Sequence, residues 1–74
     1  MNWRRVCDYT LQGDGYAISL SRVGDRVAYQ LWRDAPNRFE MPTLLQTITD
    51  VDPEDKAARI AAVNKLKLEA ESYG

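Results

Sequence analysis

The chain predicts an α+β fold, a small and mainly antiparallel sheet with one C-terminal α-helix packed on one face. Three observations carry that prediction. Tyr16–Arg33 sorts its side chains with period two around a central Gly24-Asp25, as the two arms of a hairpin do. A second turn signal, Gln12-Gly13-Asp14-Gly15, precedes it. The last third opens on Asp52-Pro53-Glu54-Asp55 and then runs to Tyr73 without glycine or proline, which is the grammar of a helix. The 74 residues make one domain. Its expected elements are a meander of strands at about 3–11, 16–23 and 26–33, a fourth strand at 43–49, and a helix at about 53–72.

In the first strand Trp3, Cys7, Tyr9 and Leu11 alternate with Arg4, Val6, Asp8 and Thr10. Asp14-Gly15 suits a type I′ turn, and that turn sets Leu11 opposite Ile18 and Tyr9 opposite Leu20. Centring the next turn on Gly24-Asp25 pairs Tyr16 with Arg33, Ile18 with Leu31, Leu20 with Tyr29 and Arg22 with Val27. The opposite face then receives Ala17 with Trp32, Ser19 with Gln30, Ser21 with Ala28 and Val23 with Arg26. A slip of one residue would mix apolar and polar groups on both faces. Arg5 and Arg22 fall at the end of the apolar face, where their stems can be covered while their charges stay wet.

Asp34-Ala35-Pro36-Asn37 reads as a turn, followed by a short extended piece, Arg38–Met41, before Pro42. In Thr43–Thr49 the β-branched residues favour a strand, although Pro42 also suits the start of a short helix. As a strand it adds either Leu44 and Ile48, or Leu45 and Thr47, to the sheet. Asp52 is the expected cap of the helix and Pro53 its first residue, with Glu54 and Asp55 near the positive end of the dipole. The helix carries two apolar stripes, Ala57, Ile60, Ala61, Asn64 and Leu68 on one side and Val63, Leu66, Ala70 and Tyr73 on another. One stripe covers the sheet. The second meets Phe39–Met41 or stays free for a partner, which allows either a monomer or a homodimer formed through Val63, Leu66, Ala70 and Tyr73.

The net charge is −1, so no global field draws the chain to nucleic acid or membrane. The charge is unevenly spread. Residues 1–38 carry a net +2, with arginine as the only basic type, and residues 39–74 carry a net −3. A single cysteine, Cys7, excludes an internal disulfide and fits a reducing compartment. With neither a signal-peptide run at the start nor an apolar span of ~20 residues, a cytoplasmic, membrane-free protein is expected.

No enzyme, cofactor or metal site is expected. The chain has no histidine, which removes the commonest general base and metal ligand. Cys7 falls on the apolar strand face, where a thiol is inert packing. Asp50, Asp52, Glu54 and Asp55 lack the glycine of a calcium loop and are explained by helix capping. Gly13-Asp14-Gly15 lacks the helix that a phosphate loop needs after it.

The more informative surface is the polar face of the sheet, with Thr10, Ser19 and Gln30 around Trp32 and with Arg4 and Arg26 as flanks. Tryptophan and arginine dominate interface hot spots, so this face suits a protein partner. Nucleic acid is the alternative, although such sheets usually offer two or more aromatics to stack bases. The segments WRRVCDYTL, GYAISLSRVGDRVAYQLWR and TITDVDPEDKAARIAAVNKL, in this order, resemble short accessory proteins of phages and prophages. The likeness spans most of the chain as a pattern of pleat and turn and transfers no functional residue. It implies stoichiometric binding that blocks a host complex, defence systems such as CRISPR included.

Overall fold

Apolar alternation on either side of Gly24-Asp25 builds the centre of the molecule. The computed structural model of the chain describes residues 2–35 and 37–73. Strands β1 (Arg4–Cys7), β2 (Thr10–Gly13), β3 (Tyr16–Val23), β4 (Arg26–Arg33) and β5 (Thr43–Val51) precede helix α1 (Lys56–Tyr73). They form one five-stranded antiparallel sheet in chain order. Every pair expected between β3 and β4 is present, from Tyr16 with Arg33 to Val23 with Arg26. Gly24 has φ +64° and Asp25 does not join it above zero, so only the first central position of that turn needs glycine.

The expected strand over 3–11 is instead a hairpin. The chain turns at Asp8-Tyr9, Cys7 pairs with Thr10, and Val6 is an extra residue between Arg5 and Cys7. Folding back satisfies β2 on its outer edge, where a straight first strand would leave a row of unpaired backbone groups. Leu11 still meets Ile18, and the Tyr9 carbonyl accepts the Leu20 N–H at 2.8 Å. The Asp14-Gly15 turn is not type I′, because Gly15 alone has a positive φ, +80°. Cys7, expected inside, is exposed. Trp3 packs against the core as expected.

β5 confirms the strand expected at 43–49 and extends it to Val51. It carries two irregularities against β4, one placing Leu45 between the partners of Leu31 and Trp32, the other placing Thr49 and Asp50 opposite Ala28. Asp50 sits there at φ 58°, a conformation that aspartate tolerates better than most residues. These bulges re-aim the chain. Leu45, Ile48 and Val51 all pack inward at a spacing of three, which neither expected set, Leu44 with Ile48 or Leu45 with Thr47, allows. Pro36 of the expected 34–37 turn lies outside the described residues, and the helix ends at Tyr73, one residue past its expected end. Arg38–Met41 is not extended. It forms a turn with Asn37, whose carboxamide oxygen accepts the Phe39 N–H at 2.8 Å and whose carbonyl accepts the Glu40 N–H at 3.4 Å, and Phe39 and Met41 are each 85% exposed.

The core lies between α1 and the inner face of β3, β4 and β5. Tyr16, Ile18, Val27, Tyr29, Leu31 and Val51 come from the sheet, and Ala62, Leu66 and Ala70 come from the helix. The helix therefore packs through Val63, Leu66 and Ala70 of the second stripe together with Ala62. That corrects both expectations for this stripe, that it meets Phe39–Met41 and that it stays free for a partner. Leu66 and Ala70 are fully buried and are not available for a homodimer or other partner. The alanines let the helix axis lie close to the sheet, so branched side chains of the strands fill the space between. At its C-terminal end the Arg33 guanidinium lies over the Tyr16 and Tyr73 rings, 5.9 and 5.8 Å from their centroids.

The helix begins three residues later than expected, and its cap is Asp55 rather than Asp52. The Asp55 carboxylate accepts the Ala58 N–H at 3.1 Å, while its carbonyl accepts the Arg59 N–H at 3.0 Å. Asp52 instead holds the preceding turn, accepting the Glu54 N–H at 3.0 Å. Pro53 lies in that turn, where its fixed φ is equally at home. Asp55→Ala should therefore lower stability in urea melts by about 0.5–2 kcal/mol. Asp52→Ala, which removes a bond outside the helix, should lower it by less.

Candidate functional site

The uncovered face of the sheet gathers most of the polar residues singled out in the sequence. The register sets Arg4, Gln12, Ala17, Trp32 and Leu44 in one row across all five strands. The adjoining row runs through Thr10, Ser19, Gln30 and Thr47. Trp32 Nε1 donates to Ser19 Oγ at 2.9 Å, Ser19 Oγ donates to Gln30 Oε1 at 3.0 Å, and Ser21 Oγ donates to the same oxygen at 3.2 Å. This chain fixes the indole edge-on to the polar row and leaves it half-buried. Arg4 shares the Trp32 row, separated from it by the small Ala17 and by Gln12. Arg26 does not flank Trp32. It sits at the far end of β4, with a guanidinium nitrogen 3.9 Å from the Asp52 carboxylate. Leu44, beside Trp32 and half-exposed, was hidden in the sequence because the bulge at Leu45 breaks the alternation.

The other face holds a groove. Helix α1 packs on β3, β4 and β5 but reaches neither β1 nor β2, so the inner side of the first hairpin is only partly covered, with Leu11 half-buried against the core. The resulting concavity has a volume of about 390 Å³. Leu11, Leu20 and Tyr29 line its sheet side, Ile60 and Val63 its helix side, and Tyr9 its rim. Arg5, Lys56, Arg59 and Lys67 also line it, against Asp8 as the one acid. Arg59 Nε donates to the Tyr29 hydroxyl at 3.1 Å, which ties the helix to the floor. Cys7 lies at the same rim. The Thr10 hydroxyl beside it, with backbone groups of Tyr9 and Thr10, holds its thiol below the ordinary range, against the opposing effects of desolvation and of Asp8.

Among the described residues no group of three or more Cys, Asp or Glu is placed to hold a metal ion, and no helix is long and apolar enough to cross a membrane. The second candidate surface, Val63, Leu66, Ala70 and Tyr73, is divided by the fold. Leu66 and Ala70 are interior, Val63 lines the groove, and Tyr73 meets Arg33. Comparison with family models, with curated proteins and with solved structures finds no match to this chain.

Proposed function

We propose that this chain is a non-catalytic binding module that attaches stoichiometrically to a protein partner in the cytoplasm, with the open sheet face as its contact and Trp32 as the anchor. The observation that supports this reading is the hydrogen-bond chain from Trp32 through Ser19 to Gln30. It orients a large aromatic side chain on the sheet face opposite α1. An anchor held in one rotamer loses little conformational entropy on binding. Leu44 extends the apolar contact on one side, and Arg4 supplies a charge at the far end of the row. Blocking a host complex, as the resemblance to phage accessory proteins implies, belongs to the same proposal.

The test compares the wild-type chain, Trp32→Ala and Arg4→Glu. Each is used to recover partners from a host lysate, and each is titrated against the protein that wild type retains in stoichiometric amount. Trp32→Ala should keep a cooperative thermal melt and lose at least ~2 kcal/mol of affinity, as an anchor does. Unchanged affinity in both variants would remove the sheet face from the contact. Binding to generic oligonucleotides that falls steeply with salt would replace the protein partner with nucleic acid.

A further inference from the structure

We infer that the groove between α1 and the β1–β2 hairpin is a second binding site, and that its occupant is a short acidic segment of a partner protein carrying apolar side chains. The apolar requirement comes from the lining. Tyr9 at the rim and Ile60 on the helix are 63% and 50% exposed, and Leu11, Leu20 and Val63 between them are only half-buried. Ile60 belongs to the helix stripe that the core does not use. The hydrophobic contact it could make is therefore unmet within the chain.

The acidic requirement comes from charge. Four cationic side chains and one carboxylate line this groove in a chain whose net charge is −1. Among the described residues the ion pair of the molecule is Arg26 with Asp52, outside the groove. Arg5, Lys56 and Lys67 face no carboxylate of the described residues within 4 Å. Arg59 is held by two neutral oxygens, the Tyr29 hydroxyl and the Pro53 carbonyl at 3.4 Å, and likewise has no carboxylate of the described residues within 4 Å. Helix-borne Lys56, Arg59 and Lys67 stand on one side and Arg5 on the other. A segment lying along the groove would thus meet positive charge on both flanks and apolar groups beneath.

Size and surface chemistry favour peptide over nucleic acid. A volume of about 390 Å³ accepts a few side chains and is at the small end of ligand sites. Its accessible apolar lining is Leu11, Leu20, Ile60 and Val63 with Tyr9 as the one exposed aromatic, whereas single-stranded nucleic acid is usually held by stacking on several aromatics.

Fluorescence anisotropy with a short labelled peptide, in which Glu and Asp flank a Leu and a Phe, tests the assignment. The same peptide with Leu and Phe replaced by Ser, and a labelled oligothymidine, are run beside it. The acidic apolar peptide should bind. The Lys56→Glu/Lys67→Glu double variant and the separate Ile60→Ser variant should each weaken it at least about tenfold, or ~1.4 kcal/mol, with unchanged thermal melts. Trp32→Ala, on the opposite face, should bind it as wild type does. Amide shifts on titration should concentrate at Tyr9, Leu11, Leu20, Ile60 and Val63. The assignment is overturned if the peptide does not bind, if the variants bind it equally well, or if the Ser-substituted peptide binds as tightly. Tighter binding of the oligothymidine, lost in the double variant, would make nucleic acid the occupant. Self-association in sedimentation that the double variant abolishes would make it a second copy.

Discussion

Leu66→Ala should lower the unfolding free energy by about 2–5 kcal/mol, and Leu68→Ala, two residues along the same helix, by less than about 0.5 kcal/mol. Leu66 is 0% exposed and Leu68 is 67% exposed. Truncating Leu66 removes apolar burial and leaves a cavity between Ala62, Ala70 and the inner strand face, which flanking alanines are too short to fill. A domain of this size holds only ~3–5 kcal/mol from its core. The Leu66 variant should therefore be largely unfolded at room temperature, while the Leu68 variant melts like wild type. Urea melts followed by far-UV circular dichroism measure both. Equal losses, or a larger loss from Leu68, would mean that α1 presents its other stripe to the sheet.

The second large effect is expected at Tyr29. Tyr29→Ala should cost about 3–5 kcal/mol, the range for deleting a buried aromatic ring, because the ring belongs to the core and is nearly inaccessible. Tyr29→Phe should cost about 0.5–1.5 kcal/mol, the net worth of one hydrogen bond. It keeps the ring and removes only the hydroxyl that accepts from Arg59 Nε. Arg59 is exposed, so water can replace the lost acceptor, which places the Phe variant toward the low end. A double-mutant cycle with Arg59→Met isolates the pair: the coupling should account for most of the Tyr29→Phe loss. If Tyr29→Phe were as costly as Tyr29→Ala, the hydrogen bond rather than ring packing would hold the helix on the sheet.

Most of the open face was legible before folding. Its residues follow from the β3–β4 register, and that register rests on local signals that agree: glycine at the turn and strict alternation on both arms. Thr10, Ser19, Gln30 and Trp32 accordingly came together as expected, while Arg4 shares their face but stands three strands, about 14 Å, from Trp32. Arg26 did not join them, because sharing a face says nothing of distance along the strand, and six residues of strand separate it from Trp32 by about 20 Å. Leu44 was missed because a bulge shifts register without a fixed sequence mark. The groove was not legible at all. It exists because α1 packs on three strands and stops short of the other two.

Local chemistry by itself determined the α+β class, the central hairpin with its pairing, and the presence of a late helix preceded by acidic turn residues. Turns and strand alternation act between near neighbours, so their energetics are written in short stretches of chain. Tertiary structure alone decided the remaining choices. The first strand became a hairpin because an edge gains backbone hydrogen bonds by folding back. Asp55 took the cap from Asp52 because the turn held by Asp52 precedes the first helical residue. The helix turned its alanine-rich Ala62, Leu66, Ala70 side inward, although Ile60 and Leu68 offer more apolar bulk. Small residues allow close approach to a sheet face already filled by Ile18, Tyr29 and Leu31. Fit between two surfaces, rather than the hydrophobicity of either one, selects the buried stripe, and that fit is a property of the assembled pair.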